Sequence, residues 1–242
     1  MKYAALLTLI SALFCSPVGA VQVTNLIDNL TTSQSIFTNN ASATNTIATA
    51  GAIGGYRTMT LTTAGANTTE NTGLFVSGTT NRLTLSSPID TTANFSITWG
   101  GAGGNTGLNA DFGAGQALVL SNSFLSFFHR TADQANNFTW TFTDLANNTA
   151  TYGGTFPVKT TALPLTPYSI SLDSFTNSGA VDWNAINYIT FSGGGVEDLD
   201  MTVVAPIQVV ASTIPEPGTW ALLATGVAGT FLAMRRRISA RR

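Results

Sequence analysis

The chain has 242 residues, only 9 % of them charged, and a formal net charge of −2. Away from its two ends the balance is sharper: Arg57, Arg82, Arg130 and Lys159 stand against eleven acids between Asp28 and Asp200, a net of −7. That excludes the basic footprint that nucleic-acid binding requires and argues against adsorption on anionic lipid.

The N-terminus reads as an export signal. Met1-Lys2 is a minimal positive start, Tyr3 to Phe14 is apolar, and Val18-Gly19-Ala20 is a run of small residues before Val21. This pattern predicts a signal helix over 1–20, delivered to the Sec translocon and cut between Ala20 and Val21 by signal peptidase. Its apolar part is too short for a stable membrane span. Cys15, the single cysteine, follows Phe14 where a lipid-attachment site wants a small residue. The thiol therefore leaves with the signal, and the mature chain can form no disulfide.

Residues 21–212 have room for one domain of ordinary size. The first part, Val21 to Gly55, holds few large apolar residues over Thr31 to Ala50 and predicts an edge strand with long loops. Further along, period-two alternation recurs: Phe95/Ile97/Trp99, Phe138/Trp140/Phe142, Tyr168/Ile170/Leu172 and Leu199/Met201/Val203, interleaved with hydroxyl residues and, in the last, Asp200. Such alternation marks half-buried antiparallel strands. Gly100 to Gly104, Gly153-Gly154 and Gly193 to Gly195 read as the punctuation between them. Asp182 to Phe191 reads as a turn followed by a core strand that closes a hairpin with the strand at Leu199 to Val203. Scarce Lys and Glu with abundant Thr, Asn, Ser and Gly disfavour helix. The expected fold is all-β, an antiparallel jelly-roll-like β-sandwich.

Chemistry-bearing residues are few. His129 has no G-x-S-x-G or other partner motif in the chain and reads as a polar residue at a strand end. One histidine and no mature cysteine make a zinc or copper site a poor fit. Glu197, Asp198 and Asp200 form the densest carboxylate group, with the Gly193 to Gly195 carbonyls beside it. They are a weak calcium candidate, because their spacing is not that of a known calcium loop. The simpler reading is a solvated strand edge that discourages sheet-to-sheet pairing. Thr58/Thr60/Thr62 and Thr139/Thr141/Thr143 are Thr-x-Thr runs that an ice lattice could match on a flat array. Ordinary sheets twist, which weighs against that reading. Trp183 and Tyr152 are candidate exposed aromatics for sugar contact.

The C-terminus is a three-part address. Pro215-Glu216-Pro217 cannot continue a helix and sets an extended, accessible segment. Residues 218–234 are uncharged and would make a helix of roughly 25 Å, short of the ~30 Å hydrocarbon core. Trp220 lies near one end; Arg235, Arg236 and Arg237 open the basic tail 235–242 at the other, which places the N-terminal side outside. Residues 213–242 closely resemble the PEP-CTERM sorting segment of exported Gram-negative bacterial proteins, also catalogued as an "ice-binding protein C-terminal domain". The carriers are Pro215-Glu216-Pro217, Thr219 to Leu223, the small-residue stretch Ala224 to Ala233, and Arg235 to Arg237. The resemblance implies a transient inner-membrane anchor through a C-terminal transmembrane helix. It also implies recognition by exosortase near Pro-Glu-Pro, and release to the cell surface or exterior. The expected product is a non-enzymatic structural or carbohydrate-binding protein of an extracellular polysaccharide matrix or biofilm. A carbohydrate-active hydrolase or lyase on the same scaffold is the alternative, a calcium-stabilised adhesin and an ice-binding protein the minor ones.

Overall fold

The structure, a computed structural model, describes residues 21–67, 69–104 and 106–213. The signal helix with Ala20, the sorting motif Pro215 to Pro217, the 218–234 span and Arg235 to Arg237 lie outside the described residues.

Thirteen strands are formed among the described residues: β1 (Val21–Asp28), β2 (Gln34–Thr38), β3 (Ser42–Ala48), β4 (Tyr56–Gly65), β5 (Thr72–Ser77), β6 (Arg82–Ser86), β7 (Thr91–Gly100), β8 (Phe124–Ala132), β9 (Asn136–Asp144), β10 (Thr149–Phe156), β11 (Thr166–Ser171), β12 (Ile186–Glu197) and β13 (Asp200–Thr213). The only helical pieces among these residues are short 3-10 turns. A six-stranded sheet runs β10-β9-β12-β7-β4-β3, and a seven-stranded sheet runs β11-β8-β13-β6-β5-β2, with β1 also on β13. Every named strand pair is antiparallel. The expected two-sheet β-sandwich is therefore present.

The alternating apolar residues point between the sheets. Trp99 and Trp140 stack at 5.7 Å, and Trp140 stacks on Phe191 at 4.5 Å. Phe127, from the opposite sheet, meets Phe138, Trp140 and Phe156 and stacks on Tyr168 at 5.0 Å. Each such side chain contributes on the order of 1.5–3 kcal/mol by leaving water.

Three expectations need correcting. The strand after Asp182 closes no hairpin with Leu199 to Val203: β12 and β13 are consecutive but lie in different sheets, so their link crosses the sandwich. Val21 to Gly55 does supply edge strands, β2 to one sheet and β3 to the other, but with β1 on β13 it forms three paired strands in place of one with long loops. Edge strands bury little, so Thr, Ser and Asn suffice there. Gly153-Gly154 and Gly193 to Gly195 are not turns either; they lie inside β10 and β12. Gly154 and Gly193 both pair with Phe138, one from each side. A Cβ on Gly154 would strike the Phe138 ring, and one on Gly193 would crowd Phe95. The glycines are slots for aromatic rings of neighbouring strands.

One ion pair crosses the interior. A register shift between Leu26 and Asp28 interrupts the β1 alternation, leaving both Ile27 and Asp28 fully buried. Arg57 on β4 donates to Asp28 Oδ2 at 2.8 Å, with both side chains 0 % exposed. Trp99 Nε1 donates to the same oxygen at 2.7 Å, and the Leu30 amide donates to Oδ1 at 2.7 Å. Arg57 also donates to Gln34 Oε1 and the Thr32 carbonyl. The charges are thus fully partnered, which a buried pair requires. Removing one partner is strongly destabilising: Asp28→Ala is expected to cost about 3–5 kcal/mol. Thr62→Ala on the outer surface should stay within about 0.5 kcal/mol, and urea denaturation of the two variants measures the contrast.

Candidate functional site

The inward alternation fixes what faces outward. On the six-stranded sheet the registers align Thr46, Thr58, Thr98, Thr190, Thr141 and Thr151 in one row, one threonine from every strand. A second row is Thr44, Thr60, Ser96, Ser192, Thr139 and Gly153. A third is Ser42, Thr62, Asn94, Gly194, Asn137 and Thr155. No position in the three rows is charged, and none carries a large apolar group. Neighbouring strands stand ~4.8 Å apart and alternate residues along a strand ~6.8 Å apart, so the hydroxyls form a two-dimensional grid.

Several hydroxyls pair across strands: Ser42 with Thr62 at 3.0 Å, Thr44 with Thr60 at 3.2 Å, Thr46 with Thr58 at 2.9 Å and Thr98 with Thr190 at 3.3 Å. The Ser42–Thr62, Thr44–Thr60 and Thr98–Thr190 pairs each use one O–H internally and keep a second for solvent or ligand. The turn after β7 folds over one end of the first row, where the Thr58 hydroxyl donates to the Gly104 carbonyl at 3.2 Å. Gly104 has φ +81°, and a Cβ there would strike Thr58 and Thr46. The Thr58 to Thr62 and Thr139 to Thr143 runs contribute to this grid, but their union into rows is set by register.

Other singled-out residues lie elsewhere. Trp183 is 5 % exposed, donates Nε1 to the Ser178 carbonyl at 2.9 Å and packs on Phe142. Tyr152 is half-buried against Phe138 and Phe175. Neither is an exposed sugar platform, because both share the inward face of their segment. Asp198 is not on a strand beside Asp200; it sits at φ +53° in the β12–β13 turn. Glu197 ends β12, and the Asp200 amide donates to Asp133 Oδ1 at 2.7 Å. No group of three His, Cys, Asp or Glu among the described residues stands close enough to hold a metal ion.

Neither of two shallow depressions on the surface holds a pair of carboxylates. The larger, beside Trp183, has Asp182 in its lining; the smaller, beside Arg82 and Arg130, has none. Asp144, buried near Asp182, is committed to structure. Burial alone would raise its pKa, but hydrogen bonds from the Asp182 amide and from the Asn148 side chain and amide outweigh that and hold it below its ordinary value.

The C-terminal residues 213–237 match the family model of the PEP-CTERM protein-sorting motif. This chain carries a PEP-CTERM sorting signal. The signal marks an exported protein directed to the cell surface. No curated protein matches the PEP-CTERM chain in sequence. Among solved structures it is similar to a family 11 carbohydrate-binding module from Clostridium thermocellum in complex with a β-1,3-1,4-mixed-linked tetrasaccharide, at 11 % identity and TM-score 0.40 over 81 % of this chain and 99 % of that one. A family 30 carbohydrate-binding module gives 13 % identity and TM-score 0.38 over 79 % and 99 %. The agarase AgWH50C gives 10 % and 0.40 over 64 % and 23 %. Likeness at these scores carries no functional argument.

His129 is not at a strand end. It lies within β8, fully buried, stacked on Phe156 at 4.6 Å, and neither ring nitrogen has a hydrogen-bond partner. Burial pushes its pKa below the ordinary value and the Lys159 charge adds to that, against an opposing contribution from the Thr131 backbone. The folded state therefore holds it neutral. Its contribution is intact above the unfolded pKa of ~6.5 and is lost as pH falls from there toward the depressed folded value. His129→Phe should flatten the fall in melting temperature between pH 7 and pH 5; an unchanged slope would show that other groups set it.

Proposed function

We propose that this is an exported, non-enzymatic protein of the cell surface or extracellular polysaccharide matrix, whose outer six-stranded face holds a neutral glycan. The observation that carries the reading is the three-row grid of hydroxyl and amide side chains, free of charge on a domain whose net charge is −7. No acid enters the three rows; Glu197, in register with Thr92, stands at their border. A surface that offers paired hydroxyls and no charge is matched to a polyol, whose own hydroxyls exchange hydrogen bonds with it at little desolvation cost. Strand order alternating between the two sheets supports a jelly-roll description of the scaffold.

A hydrolase or lyase on this scaffold needs two carboxylates set ~5–10 Å apart across a cleft. The two depressions offer one carboxylate and none, which favours the binding reading. Ice binding would use the same grid. A right-handed twist of roughly 20–25° per strand turns six strands through about 100°, which a rigid lattice does not follow and a flexible glycan chain does.

The proposed route begins with Sec export and signal peptidase. The inner membrane then holds the chain through the segment at 218–234 until exosortase acts near Pro215-Glu216-Pro217. Ligand binding is tested on a neutral-glycan array with the exported chain. Placing Glu at both Thr98 and Thr190 should reduce binding at least tenfold, since each carboxylate would have to be desolvated against an uncharged chain; undiminished binding by a folded variant would sink the face assignment. Sorting is tested separately: replacing Pro215-Glu216-Pro217 with alanines should leave precursor in the membrane fraction. Intact Arg242 in the wild-type exterior fraction, seen by mass spectrometry, would refute processing.

A further inference from the structure

The remaining cations of the domain are gathered on the other sheet. Among the described residues the one ion pair is Asp28–Arg57. Arg82, Arg130 and Lys159 therefore have no carboxylate partner, although the domain carries eleven acids. Arg82 begins β6 and pairs in register with Val204 of β13. Val204 pairs on its other side with Phe128 of β8. A register shift at Thr202/Val203 leaves Arg130 as the extra residue of β8, so both arginines reach the same depression. Its lining is Thr80, Arg82, Arg130, Leu163, Leu165 and Val204, and its volume is about 170 Å³.

Lys159 builds the wall. Its ammonium donates to the carbonyls of Arg130, Thr161 and Pro164 at 2.9, 2.7 and 2.8 Å. Its backbone exchanges two hydrogen bonds with Ala132. The loop bearing Leu163 and Leu165 is thereby fixed beside Arg130, with Leu163 72 % exposed at the rim. Arg82 Nε is shielded from solvent and has no hydrogen-bond partner. A buried guanidinium N–H without an acceptor is costly, and two half-buried arginines lining one depression repel each other. An anion supplied from outside relieves both.

We propose that this depression is a second binding site, specific for the carboxylate of an acidic glycan. Guanidinium forks match a carboxylate in paired, charge-assisted hydrogen bonds. Leu163, Leu165 and Val204 offer apolar contact to the C–H face of the sugar ring that bears it. The volume falls below the ~300–1,000 Å³ of a pocket for a whole drug-sized ligand, so it receives one charged unit of a chain. The net charge of −7 opposes polyanions in general, so binding of one demands a local site of this kind. The site stands on the seven-stranded sheet, and its assignment does not depend on the neutral face of the other.

The test is native gel electrophoresis of the exported chain through gels containing polygalacturonate, with neutral glucan gels in parallel. Polygalacturonate should retard the wild type. Arg82→Gln with Arg130→Gln should weaken that retardation at least tenfold without lowering the melting temperature and with neutral-glycan binding unchanged. Arg130→Lys, which keeps the charge and loses the fork, should give an intermediate loss and serves if the double variant does not fold. Unchanged retardation of the folded double variant, or none of the wild type, overturns the proposal. Inorganic phosphate is the competing source of anion: if it protects the chain against thermal unfolding while polygalacturonate does not bind, the depression takes a free anion and the glycan assignment fails. Loss of neutral-glycan binding alone, with polygalacturonate retardation intact, would remove the face assignment and leave this one standing.

Discussion

The Asp28–Arg57 contact holds the sandwich in one arrangement. Asp28 comes from the seven-stranded sheet, and Arg57 and Trp99 come from the six-stranded one. Apolar burial between sheets is non-directional and tolerates sliding. A buried carboxylate with three named donors does not, because any slip leaves charge without a partner. Gln34 extends the restraint, bridging the Arg57 guanidinium to the Asn45 carbonyl on β3. The register of β3, β4 and β7 is thereby fixed at one point, and the outer rows of hydroxyls inherit it. A shift of one residue in β4 would turn Met59 and Leu61 outward and Thr58 and Thr60 toward the core.

This coupling explains which parts of the molecule were legible in the chain. Phe95/Ile97/Trp99 and Phe138/Trp140/Phe142 announced β7 and β9, because strand periodicity is local and their inward groups are large. Ser42 to Ala48 carries the same alternation with Ala43 and Asn45 facing inward, too small or polar a signal to distinguish from loop. Gly154 and Gly193 read as turn residues because their reasons for being glycine, the Phe138 ring for one and the Phe95 ring for the other, lie on other strands. Asp28 and Arg57 are 29 residues apart, and the irregularity in β1 that buries Asp28 has no sequence signature. Single Thr-x-Thr runs could be read; their alignment into rows could not, since pairing order is a property of topology.

The two faces divide the chemistry of the domain. One sheet presents three rows of hydroxyls and amides without charge, bordered by Glu197. The other carries the cations that the interior does not use, beside apolar Leu163 and Leu165. A matrix protein with separate surfaces for neutral and acidic chains would join two polymers rather than decorate one, and two weak contacts on one rigid body reinforce each other by effective concentration.

Val21 pairs with Thr213, so the first and last described residues leave the sandwich at the same corner. Only Ile214 separates β13 from Pro215. If the domain is held by the segment beyond Thr213, mechanical load enters along β13. From Ile207 to Thr213 that strand is flanked by β1 on one side, and from Gln208 to Val210 by β8 on the other. Tension along its axis must shear two ladders at once instead of opening either bond by bond. Resistance to such load is a matter of unfolding rate rather than equilibrium stability, and β13 meets it with neighbours on both sides.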